Sequence, residues 1–150
     1  VIRFVLLSVY SPFVIGIYEG DKLVKKIEAE GKASDVLPVM IEKALSEFAP
    51  EEIYYTNGPG NHISLKIAFV CVKSLCIIKK IPLFGVSPFV FNEGSPIKAF
   101  GNSYFVPKKD KIEIEVLDGS VLSVPAVLPH SIDFESIKGC DEPLFLLPAV

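Results

Sequence analysis

The chain has 150 residues, of which 50% are hydrophobic and 22% charged, with a mean hydropathy of +0.45 and a net charge of −3. That balance excludes a disordered chain and leaves no strong electrostatic footprint for nucleic acid. It leaves two classes: a membrane-spanning protein, or one domain and at most a fragment of a second that covers an apolar face with another protein.

The membrane class fails on the residues. The apolar run 4–18 is interrupted by Ser8, Ser11, Pro12 and Gly16, and run 67–78 contains Lys73. Both are too short to span. Run 4–18 lacks a small-x-small cleavage site and leads into Glu19-Gly20-Asp21, a turn. Cys71, Cys76 and Cys140 are an odd count with no C-x-x-C pair, which argues against a disulfide framework or zinc site and for a reducing cytoplasm.

Residues 2–10 and 13–18 read as strands. Residues 22–28 read as an edge strand, with Leu23 and Lys25 on one face and Val24 and Lys26 on the other. Residues 34–48 form a helix with one apolar stripe, capped by Asp35, with Pro38 in its first turn and Pro50 ending it. Residues 52–56 are a strand, and Asn57-Gly58-Pro59-Gly60 turns it into a second helix, 62–80. There Lys66, Lys73 and Lys80 recur every seven residues as the only polar stripe, so the helix must be covered on at least two sides. Residues 82–86 are a strand beginning at a proline. Residues 87–101 read as an irregular linker. Residues 103–106, 111–117 and 121–124 read as strands, with Ile112, Ile114 and Val116 forming a buried face and Asp118-Gly119 a hairpin turn. The proline-bearing tail shows little periodicity. Three antiparallel strands, then helix, strand, helix, strand, imply a mixed sheet with parallel pairing among the first, fourth and fifth strands. That is a ribonuclease-H-like α/β layout.

The Gly58-Pro59-Gly60 loop precedes a helix N-terminus, a place that suits anions. It matches neither the Walker A nor the GxGxxG pattern, so a tight turn is the favoured reading. His62 and His130 have no ligand-spaced companions. His130-Ser131 with Asp133 cannot build a triad along one strand. Ser95-Pro96-Ile97-Lys98 fits S-x-x-K without its companion motifs. Cys71 and Cys76 read as buried structural thiols.

Residues 56–68, Thr-Asn-Gly-Pro-Gly-Asn-His-Ile-Ser-Leu-Lys-Ile-Ala, resemble the GPGSFTGLRIG signature of the bacterial TsaB (YeaZ) family, glycoprotease-like proteins of the actin/hexokinase superfamily. Residues 34–38 are similar to that family's HSxxLLP helix start, 81–87 to its IPLxGVSSL segment, and 98–106 to its DAR…VY strand. The resemblance covers residues 1–106. In the signature, Ser, Phe, Thr and Gly are replaced by Asn61, His62, Ile63 and Ser64, and Arg by Lys66. The family's first-strand IDTS becomes Leu7-Ser8-Val9-Tyr10, which removes the acid that would anchor Mg²⁺ for phosphoryl transfer.

The resemblance implies an actin-like ATPase (ASKHA) lobe over residues 1–95 and a reduced, strand-rich second lobe over 96–150. It implies a non-catalytic subunit that pairs with a TsaD-like catalytic subunit and works with a TsaE-like ATPase. That complex installs threonylcarbamoyl on adenosine next to the tRNA anticodon. The chain alone would form a homodimer, would meet tRNA only through the complex, and would hold no cofactor of its own, with ATP or ADP and Mg²⁺ only at a shared site. The family's interface is formed by the two helices. Leu37, Met40, Ile41, Leu45, Phe69, Val72, Lys73 and Cys76 are the contact candidates on them, and Asn57, Gly58, Pro59, Gly60, Asn61, His62 and Lys66 are the signature loop. Two alternatives stand beside this reading: a small nucleotide-binding or hydrolytic enzyme of the same superfamily, and a degenerate self-associating member without a tRNA-modification role.

Overall fold

The structure is a computed structural model that describes residues 1–100, 103–109, 111–117 and 126–144. Strands β1 (Ile2–Leu7), β2 (Phe13–Glu19) and β3 (Lys22–Ala29) are followed by α1 (Ala33–Glu47), β4 (Glu52–Thr56), α2 (His62–Lys79) and β5 (Leu83–Val86). They form one sheet in the order β3-β2-β1-β4-β5, with β1, β4 and β5 parallel and β2 and β3 antiparallel. This is the mixed sheet that the element order implies. A second, antiparallel sheet holds β6 (Ile97–Phe100), β7 (Ser103–Pro107) and β8 (Ile112–Val116).

Several boundaries differ from the sequence reading. The first strand stops at Leu7, and the next residue, Ser8, is buried, its N–H donating to Thr56 Oγ1 at 3.0 Å. Residues 87–101 are not irregular throughout: a 3₁₀ turn, Pro88–Phe91, and β6 lie within them, because Phe89, Phe91 and Ile97 are apolar enough to be buried. Asp35 does not cap α1. The cap position is Lys32, in extended conformation and without a side-chain hydrogen bond, so Pro38 sits inside the helix. Ser34 and Pro38 are both exposed, and water can serve the carbonyl that the missing N–H frees. Strand 121–124 and the turn Asp118-Gly119 lie outside the described residues.

A bulge alters β3. Ile17 pairs with Lys25 but Tyr18 pairs with Leu23, which leaves Val24 unpaired and 47% exposed. Leu23 and Lys25 therefore fall on opposite faces, not on one. Lys25 reaches Glu47 of α1 on the helical side, while Leu23 packs with the cluster on the other side.

The two faces carry separate cores. Phe4, Leu6, Ile15, Ile17, Ile53 and Tyr55 face α1 and α2. Val5, Leu7, Tyr18, Tyr54 and Val86 face away from them. The second face is covered by residues 126–138. Leu128 lies against Gly16, where a Cβ would stand 2.7 Å from its Cδ1, and Tyr18 O–H donates to Pro129 O at 2.7 Å. At the β3 edge Leu23 N–H donates to His130 O at 2.8 Å. Phe134, in the single-turn helix α3 (Phe134–Ile137), packs its ring 4.8 Å from Tyr54 and 5.4 Å from Tyr18. At the other edge Gly85 of β5 donates to Gly139 O at 3.2 Å. One aperiodic segment thus covers a sheet face and touches both exposed edges, which protects them from pairing with other chains. In the second sheet the expected buried face is only partial: Ile114 is 43% and Val116 77% exposed.

Candidate functional site

The glycine loop is a packed junction. Gly58, Pro59 and Gly60 are all buried. Gly58 has φ +105°, and a Cβ on it would stand 2.5 Å from Leu144 O; one on Gly60 would stand 3.1 Å from Val9 Cγ1. Gly58 needs glycine for both its backbone conformation and this close approach, whereas a Cβ on Gly60 would require the Val9 side chain to give by a few tenths of an ångström. Asn61 caps α2, its Oδ1 accepting from Ser64 N–H at 3.0 Å. His62 is the half-buried first residue of the helix, and Lys66 is exposed one turn later.

Asn57 has a definite task. Its Nδ2 donates to Cys140 O at 3.1 Å and Glu142 O at 3.3 Å, and its own carbonyl accepts from Leu144 N–H at 2.6 Å. Tyr55 O–H donates to Asp141 O, and Lys73 pairs with Asp141 Oδ2 at 2.5 Å. The loop and the start of α2 therefore hold segment 139–144 in place. Nothing in the sequence pattern of either segment marks this contact.

The helices divide their residues by face. Leu37 is fully buried, and Met40 at 3%, Ile41 at 9%, Val72 at 2% and Cys76 at 4% exposure join it in the core between helices and sheet. These five contact candidates are corrected to core residues, because each helix turns its most continuous apolar stripe inward. Leu45 and Phe69 are half-buried at the margin of that core, and Lys73 is half-buried beside Asp141. The outward apolar residues are different ones: Ile63, Val70, Ile77 and Ile78 on α2, 55% to 77% exposed, and Val39 on α1, 63% exposed. Ile63, Val70 and Ile77 are spaced by seven, the spacing that also aligns Lys66, Lys73 and Lys80. The lysine row and this aliphatic row therefore run side by side along α2.

The shifted titratable groups owe their shifts to burial and to ion pairs. Burial pushes the Cys76 thiol up to about 11 and raises the Cys71 thiol as well, so neither is an activated nucleophile. At the far end of the sheet Arg3 Nε meets Glu52 Oε1 at 2.6 Å and Lys138 lies 3.7 Å from Glu52 Oε2. Burial works to raise Glu52, but hydrogen bonds from Arg3 and Tyr54 and the charges of Arg3 and Lys138 outweigh it and hold the carboxyl below its ordinary value. Among the described residues no cluster of three or more His, Cys, Asp or Glu is placed to hold a metal ion. No helix among them is long and apolar enough to cross a membrane.

This layout matches solved structures. YeaZ from Pseudomonas aeruginosa superposes with a TM-score of 0.59 at 14% identity, over 89% of this chain and 72% of that one. The fold is that of YeaZ. A second structure, of an uncharacterized protein with similarity to peptidase YEAZ from Pseudomonas aeruginosa, matches with the same TM-score of 0.59 at 17% identity, over 83% of this chain and 69% of that one. No protein-family model and no curated protein matches the sequence. The YeaZ-like fold is thus carried by the architecture: a five-stranded mixed sheet with two helices on one face.

Proposed function

We propose that the chain is a TsaB-like accessory subunit without catalytic activity of its own. It pairs through the outward face of α1 and α2 with a TsaD-like catalytic subunit, alongside a TsaE-like ATPase, in forming threonylcarbamoyladenosine next to the tRNA anticodon. Its place is the cytoplasm, and it meets tRNA only within the complex. The observation that carries this reading is the outward stripe of Ile63, Val70, Ile77 and Ile78 on a helix of a YeaZ-like fold. Exposed aliphatic residues in one row are what a pairing surface requires. The buried glycine loop and the absent first-strand acid weigh against phosphate chemistry in the chain alone.

Affinity capture of the native protein, followed by identification of its partners and measurement of threonylcarbamoyladenosine in depleted cells, tests the proposal. A TsaD-like protein in the eluate and a fall in the modified nucleoside are expected. Unchanged nucleoside levels would sink it. Tight Mg²⁺-dependent ATP binding by the isolated chain would favour the enzyme reading instead.

A second reading is self-pairing through the same face. The exposed apolar residues Val39 of α1 and Ile63, Val70 and Ile77 of α2 form one patch, which would meet its own copy across a two-fold axis. Sedimentation of the isolated chain distinguishes dimer from monomer.

A further inference from the structure

A cleft of about 420 Å³ lies on the sheet face opposite the helices, away from the proposed pairing surface. Its size falls in the range of small-molecule sites. It opens at the carboxyl end of β1, next to Leu7, Val9 and Ser11. Strands β2 and β3 add on one side of β1, and β4 and β5 on the other. The cleft lies on the β2–β3 side of β1, where Val14 and Glu28 line it, and residues 92–98 close it from the second sheet.

The walls carry a particular chemistry. Leu7, Val9, Val14 and Ile97 are aliphatic. Glu28 of β3 and Lys98 of β6 come from the two different sheets. Glu28 pairs with Lys26 at 2.9 Å, and Lys98 has no ion-pair partner among the described residues. Asn92, also in the wall, is 1% exposed. Its Nδ2 donates to Ser95 O at 2.9 Å, while its Oδ1 has no hydrogen-bond partner among the described residues. A buried acceptor without a donor is costly, and a native structure that keeps one asks for an explanation.

We propose that this cleft binds a free amino acid with an aliphatic side chain. The carboxylate meets Lys98, the ammonium lies between Glu28 and Asn92 Oδ1, and the side chain enters among Leu7, Val9, Val14 and Ile97. Asn92 Oδ1 is sealed from solvent, so this contact requires the amide to turn about its terminal torsion and to exchange its hydrogen bond to Ser95 O for one to the ammonium. The proposal does not depend on the tRNA-modification reading.

Calorimetric titration of the full chain with leucine, isoleucine and valine tests it, with isobutylamine, isoamylamine and ATP as controls. Saturable binding of at least one of these amino acids is expected, with the amines bound about tenfold more weakly or not at all. Lys98→Met, a change at an exposed side chain, should weaken binding about tenfold, and Asn92→Leu should weaken it as well. Binding of none of the amino acids, equal binding of the amines, ATP bound in preference, or full affinity in Lys98→Met would each overturn the proposal. Because Lys98 is exposed, its variant decides the matter even if Asn92→Leu fails to fold.

Discussion

Gly85 and Gly139 meet backbone to backbone: Gly85 N–H donates to Gly139 O at 3.2 Å, closing one edge of the sheet. A Cβ on Gly85 would stand 2.2 Å from Cys140 O, and one on Gly139 2.8 Å from Gly85 O. The obstruction is backbone, which cannot swing aside as a side-chain end can.

Gly85→Ala is accordingly expected to lower stability by about 1–3 kcal/mol and to loosen segment 139–144. Urea denaturation reads the first effect, and limited proteolysis reads the second. A wild-type midpoint with an unchanged cleavage pattern would show that the segment is not docked on β5.

Neighbouring residues on α2 should respond in opposite ways to the same substitution. Val72→Glu puts a charge into the core, where Val72 is 2% exposed, and the chain should fail to fold. Val70→Glu, at a position 55% exposed, should change stability by no more than about 0.5 kcal/mol while abolishing pairing. Circular dichroism melts and co-purification check the pair. A Val70→Glu protein that still pairs would move the interface off this face.

The Glu52 carboxyl is held below its ordinary 4.5. A lowered folded value means that the ionised carboxylate favours the folded state. Its contribution is complete above the ordinary value and is lost as pH falls through the lowered one. Stability should therefore decline in that acidic window. Glu52→Gln should be less stable at neutral pH, with a shallower acid dependence. Unfolding midpoints measured across the window decide the point, and parallel curves for the two proteins would contradict it.

The cysteines should label in order of access. Cys140 is exposed, Cys71 half-buried and Cys76 buried, with both helical thiols raised by burial. Only the thiolate reacts, so Cys140 should alkylate first and Cys76 only on unfolding. Peptide mass mapping of iodoacetamide-treated native protein reports the order. Early modification of Cys76 would show that α2 does not pack on the sheet as described.

Local pattern carried much of this fold. The stripe Leu37, Met40, Ile41, Ala44 named α1 as a helix, and the apolar runs around Val5, Ile15 and Tyr54 named strands. The antiparallel strands and helical crossovers then left few ways to order the sheet. Segment 126–144 was illegible because it repeats at neither two nor 3.6 residues. Its order comes from contacts such as Tyr18 with Pro129 and Asn57 with Cys140, which are 111 and 83 residues apart. The bulge at Val24 was hidden for the same reason: the register of β3 is set by β2 and by the two cores, not by its own alternation.

By itself, the sequence determined that this chain forms a mixed sheet with two helices, and that α2 carries more apolar surface than one contact can cover. Periodicity is a property of neighbouring residues, so it survives without coordinates. Only the tertiary structure decided which apolar residues lie inside. Val72 and Val70 are alike in composition and two residues apart, and they differ because a helix turns them through about 200°, one toward the sheet and the other toward solvent. The apolar excess therefore divides into a core that includes Leu37, Val72 and Cys76 and an outward row of Ile63, Val70 and Ile77.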